Sequence, residues 1–147
     1  MKTMITKHLD KESKVLIDTS VWSLALRKRE KSSRDFKITN ILESLISIDS
    51  VVIIGCIRQE LLSGISSIDT FNKLKIALND FPDLIVNTDT YIKAAECFNI
   101  CRTHGIQGSH IDFLICAVSI TNQFPIFTLD KDFDLYSKYI DLNLYKY

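Results

Sequence analysis

Val15-Leu16-Ile17-Asp18-Thr19-Ser20-Val21-Trp22, residues 15–22, joins an apolar run to helical text through one carboxylate. Three apolar residues closed by an acid read as a short strand, with the acid at its carboxyl end. Residues 21–30 then read as a helix. The same pattern returns late in the chain, where Ile126-Phe127-Thr128-Leu129 runs directly into Asp130. Between them, Val51 to Ile54 is apolar and β-branched throughout, bounded by Asp49-Ser50 and Gly55. Continuous apolarity of that kind suits a strand buried on both faces of a parallel sheet.

Working outward, helical text is expected over 34–48, 57–63, 67–79, 88–103, 109–122 and 131–139. Weaker strands are expected at 84–86, after Pro82, and at 142–145. Thr88 is the expected cap of the 88–103 helix, whose apolar face would hold Tyr91, Ala94, Ala95, Phe98 and Cys101. Alternation of strands and helices argues for an α/β domain: three α/β/α layers around a mainly parallel sheet of about five strands. Residues 1–13 read as a polar N-terminal extension and 14–147 as a single domain.

A chain of 147 residues, 46% of them hydrophobic, is long enough for one domain with a sizeable core. Its formal net charge is zero, so no global field draws it to nucleic acid. The charge is polarised, however. Residues 22–37 carry Arg27, Lys28, Arg29, Lys31, Arg34 and Lys37 against Glu30 and Asp35, a local net of +4. That stretch reads either as a solvated, ion-paired helix face or as a set of phosphate contacts.

The cysteines, Cys56, Cys97, Cys101 and Cys116, lack the C-x2-C spacing of a zinc site. They read as small buried hydrophobes in a reducing compartment; a site from Cys97, Cys101, His104 and His110 is the minor alternative. The N-terminus has no apolar signal core, and no run is long enough to span a bilayer. The expectation is a soluble, cytoplasmic protein with no membrane contact.

Asp18 and Asp130 follow their strands directly, at the edge where ligands bind in open α/β sheets. Glu60 lies on the helix that the second strand feeds, and Asp112 in the first turn of the helix before the fourth. Each has an ordinary explanation: Asp18 and Asp130 as helix caps, Glu60 on a solvated face, Asp112 as half of a Ser109–Asp112 capping box. Together, four carboxylates at one edge would repel one another unless a hard divalent cation neutralised them. Mg2+, with Mn2+ as the alternative, suits oxygen ligands and activates water for phosphodiester hydrolysis. No nucleophile elbow, P-loop or dinucleotide fingerprint is present to suggest other chemistry.

These residues resemble the PIN-domain family, and within it the VapC-type toxins of toxin–antitoxin pairs. Leu16-Ile17-Asp18-Thr19-Ser20-Val21-Trp22 is similar to the family's opening motif. Arg58-Gln59-Glu60-Leu61-Leu62 and His110-Ile111-Asp112-Phe113-Leu114-Ile115-Cys116-Ala117 resemble its second and third acidic positions. Thr128-Leu129-Asp130-Lys131-Asp132-Phe133 resembles the fourth. The resemblance implies a Mg2+-dependent endoribonuclease, with Asp18 and Asp112 as direct metal ligands and Glu60 and Asp130 completing the set. Thr19, Ser20, Thr128 and Asp132 would support them, and Arg27, Lys28, Arg29, Lys31 and Arg34 would contact RNA. It also implies a homodimer and a cognate antitoxin. Departures are Phe113 and Cys116, where the family often has small residues, and the long lead before the first strand. The competing readings are a non-catalytic PIN-like module that binds RNA or protein, and a haloacid-dehalogenase-like phosphatase. Against the phosphatase, Ser20 stands where that family needs a second Asp. A phospho-receiver domain fits less well, because no early acidic pair is present.

Overall fold

The computed structural model describes residues 13–27 and 30–147. Its centre is the strand expected from the opening motif, β1 (Val15–Ile17), all of whose residues are buried. On one side β2 (Val51–Val52) runs parallel, with Val15 opposite Val51 and Leu16 opposite Val52. On the other, β3 (Ile126–Phe127) is also parallel, with Leu16 opposite Ile126 and Ile17 opposite Phe127. The order β2-β1-β3 makes the ends of β1 and β3 neighbours.

Of the roughly five strands expected, three form among the described residues, and the outer two shrink to single bridges, Ile53–Asp83 and Ile126–Leu144. At the first edge, Leu84 donates to the Ile53 carbonyl at 2.9 Å. The chain then turns away, leaving Ile85 91% exposed, and Pro82 has no N–H to extend the ladder. At the other edge, Ile126 alone is straddled, by the Asn143 carbonyl at 2.9 Å and the Tyr145 N–H at 2.8 Å.

The helices are α1 (Thr19–Leu26), α2 (Ser33–Ser47), α3 (Gly55–Leu62), α4 (Ile68–Ala77), α5 (Thr88–Thr103), α6 (His110–Asn122) and α7 (Asp132–Tyr136), with a 3-10 turn after α4. Helix α1 starts before the expected residue 21 because Asp18 caps it. Ser32 and Asp35 form a reciprocal capping box that fixes the start of α2. Asn87, not Thr88, caps α5, accepting from Thr90 N–H at 3.1 Å. Gly105, at φ +74°, turns the chain out of α5 as Ile106 N–H bonds the Cys101 carbonyl.

Helix α6 buries Phe113, Ile115, Cys116, Ala117 and Val118, so it sits inside the domain with α5 packed along it. The apolar face expected on α5 is met in part, at Cys101 and Phe98. Thr90, Cys97 and Cys101 are buried there, whereas Tyr91 is 56% exposed. Tyr91, Ala94, Ala95 and Phe98 line an open groove against α6, of about 440 Å3. Cys97, Cys101 and Cys116 are buried free thiols; burial raises their pKa values. No helix among the described residues is long and apolar enough to cross a membrane.

Candidate active site

Asp18 is still part of the sheet: its N–H donates to the Phe127 carbonyl at 2.9 Å. Its side chain is 93% removed from solvent at the joint between β1 and α1, with 7% exposed. A buried carboxylate needs donors, and three converge on its Oδ2: Ser20 Oγ at 2.7 Å, Thr128 Oγ1 at 2.8 Å and Ser20 N–H at 3.4 Å. The capping N–H is the longest of the three. Asp18 therefore does more than cap α1; it ties the end of β1 to the segment after β3. Among the described residues its Oδ1 accepts no side-chain or loop hydrogen bond, and Trp22 Nε1 is the one sealed side-chain polar atom without a partner. Among the described residues Oδ1 thus keeps its lone pairs for another ligand.

The hydroxyls that hold Asp18 also shape the turn after β3. Each has one proton to give, and each gives it to Asp18. Their lone pairs then accept from the backbone: Ser20 Oγ from Leu129 N–H at 3.0 Å and Thr128 Oγ1 from Asp130 N–H at 3.0 Å. Asp130 Oδ1 in turn accepts from Asp132 N–H at 2.9 Å, which starts α7. Ser20, Thr128, Asp130 and Asp132 form one chain of hydrogen bonds running from the Asp18 carboxylate.

Asp112 is held from a different direction. Ser109 caps α6, accepting from Asp112 N–H at 3.0 Å. The Asp112 carboxylate accepts from the Tyr136 hydroxyl at 2.9 Å, and the Ser109 N–H, the other arm of the expected capping box, adds a weaker pull on it. Burial raises the Asp112 pKa above the usual carboxylate range. The Tyr136 and Ser109 hydroxyls oppose the rise, and the negative charge of Asp130 adds to it. Tyr136 is fully buried. Its phenol is pushed well above its ordinary value by burial, by its bond to Asp112, and by the charges of Asp112, Asp132 and Asp130. It is a permanent donor at neutral pH.

Gly108 makes this geometry feasible. A Cβ at that position would fall on the Tyr136 hydroxyl and lie 2.8 Å from Phe113 Cε2. Neither Gly108 nor Tyr136 belongs to the motifs that mark the four acids. The available signal was the spacing in Asp132-Phe133-Asp134-Leu135-Tyr136, which puts Tyr136 one helical turn beyond Asp132 and Phe133.

Glu60 is exposed on α3 and accepts from Thr19 Oγ1 at 2.7 Å. That bond links it to the residue after Asp18. Arg58 anchors the same helix, through Asp83 and the Leu78 carbonyl, each at 2.9 Å. Cys56, one turn from Glu60, has a thiol pKa pushed up to about 11, by burial first and then by charges that include Glu60.

Thr19 thus joins Glu60 to the residue after Asp18, Thr128 joins Asp130 to Asp18, and Asp112 is held separately by Tyr136. As the side chains lie, no three His, Cys, Asp or Glu groups among the described residues stand close enough to hold a metal ion. The expected single cluster of four is therefore looser here: hydroxyl donors hold Asp18, Glu60 and Asp112, and the Asp132 N–H holds Asp130. Cys97, Cys101, His104 and His110 form no ligand set either. His104 stacks on Tyr139 and His110 on Phe98. The donor chemistry at the edge is hard oxygen throughout, which fits Mg2+ or Mn2+ better than a soft metal.

A search of curated proteins by sequence found no match. The sequence pattern of the PIN domain matches residues 15–139. The chain belongs to the PIN domain family. Its fold is similar to that of solved structures, including FitAcB from Neisseria gonorrhoeae, with TM-score 0.72, 21% identity and coverage of 90% of this chain and 96% of that one. VapBC2 from Rickettsia felis, bound to a DNA fragment from their promoter, gives 0.72 and 16%, covering 90% and 98%. FitAB bound to a DNA fragment gives 0.71 and 20%, covering 89% and 93%.

In this PIN domain the described cations of the basic stretch, Arg27, Lys31, Arg34 and Lys37, have different surroundings. Lys28 and Arg29 lie outside the described residues. Lys31 is used internally, donating to the Ala25 carbonyl at 2.9 Å and lying 3.5 Å from Thr39 Oγ1, which ties α1 to α2. Arg27 lines a cleft with Leu26, Leu61 and Lys73. Arg34 lines a pocket with Thr128 and Asp130, and Lys37 Nζ sits 5.8 Å from the centre of the Tyr147 ring.

Proposed function

We propose that this PIN domain is a metal-dependent endoribonuclease and the toxin member of a toxin–antitoxin pair. The observation that carries the reading is the Asp18 node. A buried carboxylate at the end of the central strand is fixed by two hydroxyls on Oδ2, and its Oδ1 has no donor among the described residues. Membership of the PIN family and the fold likeness to VapBC2 support it.

Asp18 and Asp112 would hold the ion, with Glu60 and Asp130 completing its surroundings. A bound Mg2+ would neutralise the carboxylates, polarise the phosphodiester and lower the pKa of a water. The protein's own task is positioning. Ser20 and Thr128 fix the rotamer of Asp18, Tyr136 fixes that of Asp112, and Thr19 keeps Glu60 facing the same edge. Thr128 and Asp132 shape the turn that presents Asp130. An antitoxin partner and a homodimer belong to the same reading. The apolar groove along α5 and α6 and the cleft bordered by Leu26 and Leu61 offer surface for them.

The test uses purified protein on mixed tRNA and rRNA with Mg2+, with EDTA, and with Mg2+ restored. Cleavage should require the ion and disappear in Asp18→Asn. Cleavage indifferent to EDTA would overturn the metal mechanism. RNA binding without cleavage would make the protein a non-catalytic module. Growth arrest on expression, relieved by the neighbouring gene, tests the toxin assignment separately.

A further inference from the structure

A polar pocket of about 230 Å3 lies beside the acidic edge. Thr128 and Asp130 line it from that edge, Arg34 from the start of α2, and Lys131, Tyr145 and Tyr147 complete it. Thr128 is the residue whose hydroxyl holds Asp18 at 2.8 Å, so the pocket and the candidate active site share a side chain.

The lining has the chemistry of a nucleotide site. Tyr145 and Tyr147 are both packed on Phe127, with ring centroids 5.2 and 5.1 Å away. Phe127 itself is fully buried, so the tyrosines are braced from behind. Braced aromatic faces stack on bases with little ordering cost. Arg34 sits in the first turn of α2, where the helix dipole disfavours a cation. Among the described residues neither Arg34 nor Lys131 forms an ion pair. Two cations therefore stand beside the tyrosines, with Lys37 Nζ 5.8 Å from the centre of the Tyr147 ring. Asp130 and Asp134 also line the pocket. They would repel phosphate and accept from base amino groups, which confines a phosphate to the Arg34 side.

We propose that this pocket binds one nucleotide of single-stranded RNA, with its base on the tyrosines and its phosphate on Arg34. The next phosphodiester is thereby delivered to the acidic edge. The pocket admits a single base, and a base inside a duplex cannot enter it. Delivery for cutting rests on the nuclease reading above; binding does not.

The experiment measures fluorescence anisotropy of a labelled single-stranded octaribonucleotide with the full chain carrying Asp18→Asn, so that no cleavage intervenes. Arg34→Gln and Tyr147→Ala are added singly, with Lys75→Gln on α4 as the matched charge control. All three side chains are exposed, and circular dichroism checks the fold. Each pocket substitution should weaken binding about 5- to 50-fold. Arg34→Gln should also flatten the salt dependence by about 0.7 in slope, which Tyr147→Ala should leave alone. The same sequence as a duplex should bind more weakly. Unchanged binding in both variants, equal weakening by Lys75→Gln, equal duplex binding or no RNA binding would each overturn the pocket. Pocket-dependent binding by a wild-type protein that never cuts would sink the nuclease reading and leave the pocket standing. Cleavage with binding indifferent to Arg34 and Tyr147 would do the reverse.

Discussion

Gly108→Ala should destabilise the fold by about 2–5 kcal/mol, although alanine is otherwise the mildest replacement. The added methyl would meet the Tyr136 hydroxyl and lie 2.8 Å from both Tyr136 Cζ and Phe113 Cε2. Neither ring can retreat: Tyr136 is 0% and Phe113 1% exposed, and their centroids are 4.8 Å apart. Backbone conformation is not the obstacle, because the positive-φ glycines are Gly64 and Gly105. Without the clash, alanine would stabilise by roughly 0.4–1 kcal/mol through the unfolded chain. Overpacking costs about 1–3 kcal/mol, and moving the hydroxyl off a charged acceptor about 1.5–3 more. The assay is urea unfolding at pH 7 for Gly108→Ala, Tyr136→Phe and the double variant. Tyr136→Phe removes both the nearest clashing atom and the bond at stake. The double variant should therefore be more stable than the summed single effects by about 1 kcal/mol or more. Additivity within about 0.5 kcal/mol would refute the claim that the turn before α6 presses on the partner of Asp112.

Asp112→Asn should raise the melting temperature in EDTA at pH 7 while removing activity. The folded-state pKa of Asp112 is raised, so ionisation opposes folding above the ordinary value of 3.8. The variant's advantage should grow as pH climbs from there through the folded-state pKa and vanish below it; an advantage that grows toward acid pH would contradict the assignment. Thr128→Val removes the 2.8 Å donor to Asp18 and the acceptor for Asp130 N–H. A loss of about 1–3 kcal/mol in calorimetry, largely restored by Thr128→Ser, is expected; equal losses from both variants would point to packing instead.

What could be read in advance was mostly local. The junctions of β1 with Asp18 and of β3 with the Thr128–Asp130 turn are written in adjacent residues, and both strands stand where they were expected. The partners of those acids are not local. Thr128 is 110 positions from Asp18 and Tyr136 is 24 from Asp112, so no window along the chain contains either pair. The Ser109–Asp112 spacing correctly marked a helix start, but the carboxylate's main donor, Tyr136, comes from tertiary structure. The edge strands near 84–86 and 142–145 were overread because apolar runs do not reveal how few ladder bonds will form. On α5 the expected face was right at Cys101 and Phe98, which pack on the core, and wrong at Tyr91, which is exposed while the small Cys97 is buried.

The central claim is that Asp18 and Asp112, held by separate hydrogen-bond systems, act as one catalytic unit. Single-turnover cleavage of one single-stranded RNA in saturating Mg2+ tests it, comparing wild type, Asp18→Asn, Asp112→Asn and the double variant. Residues that work as a unit fail together. Each single variant should lose at least about 10²-fold in rate, and the double variant should be no slower than the worse single. Near wild-type cleavage in either single variant, or losses that multiply in the double, would contradict it.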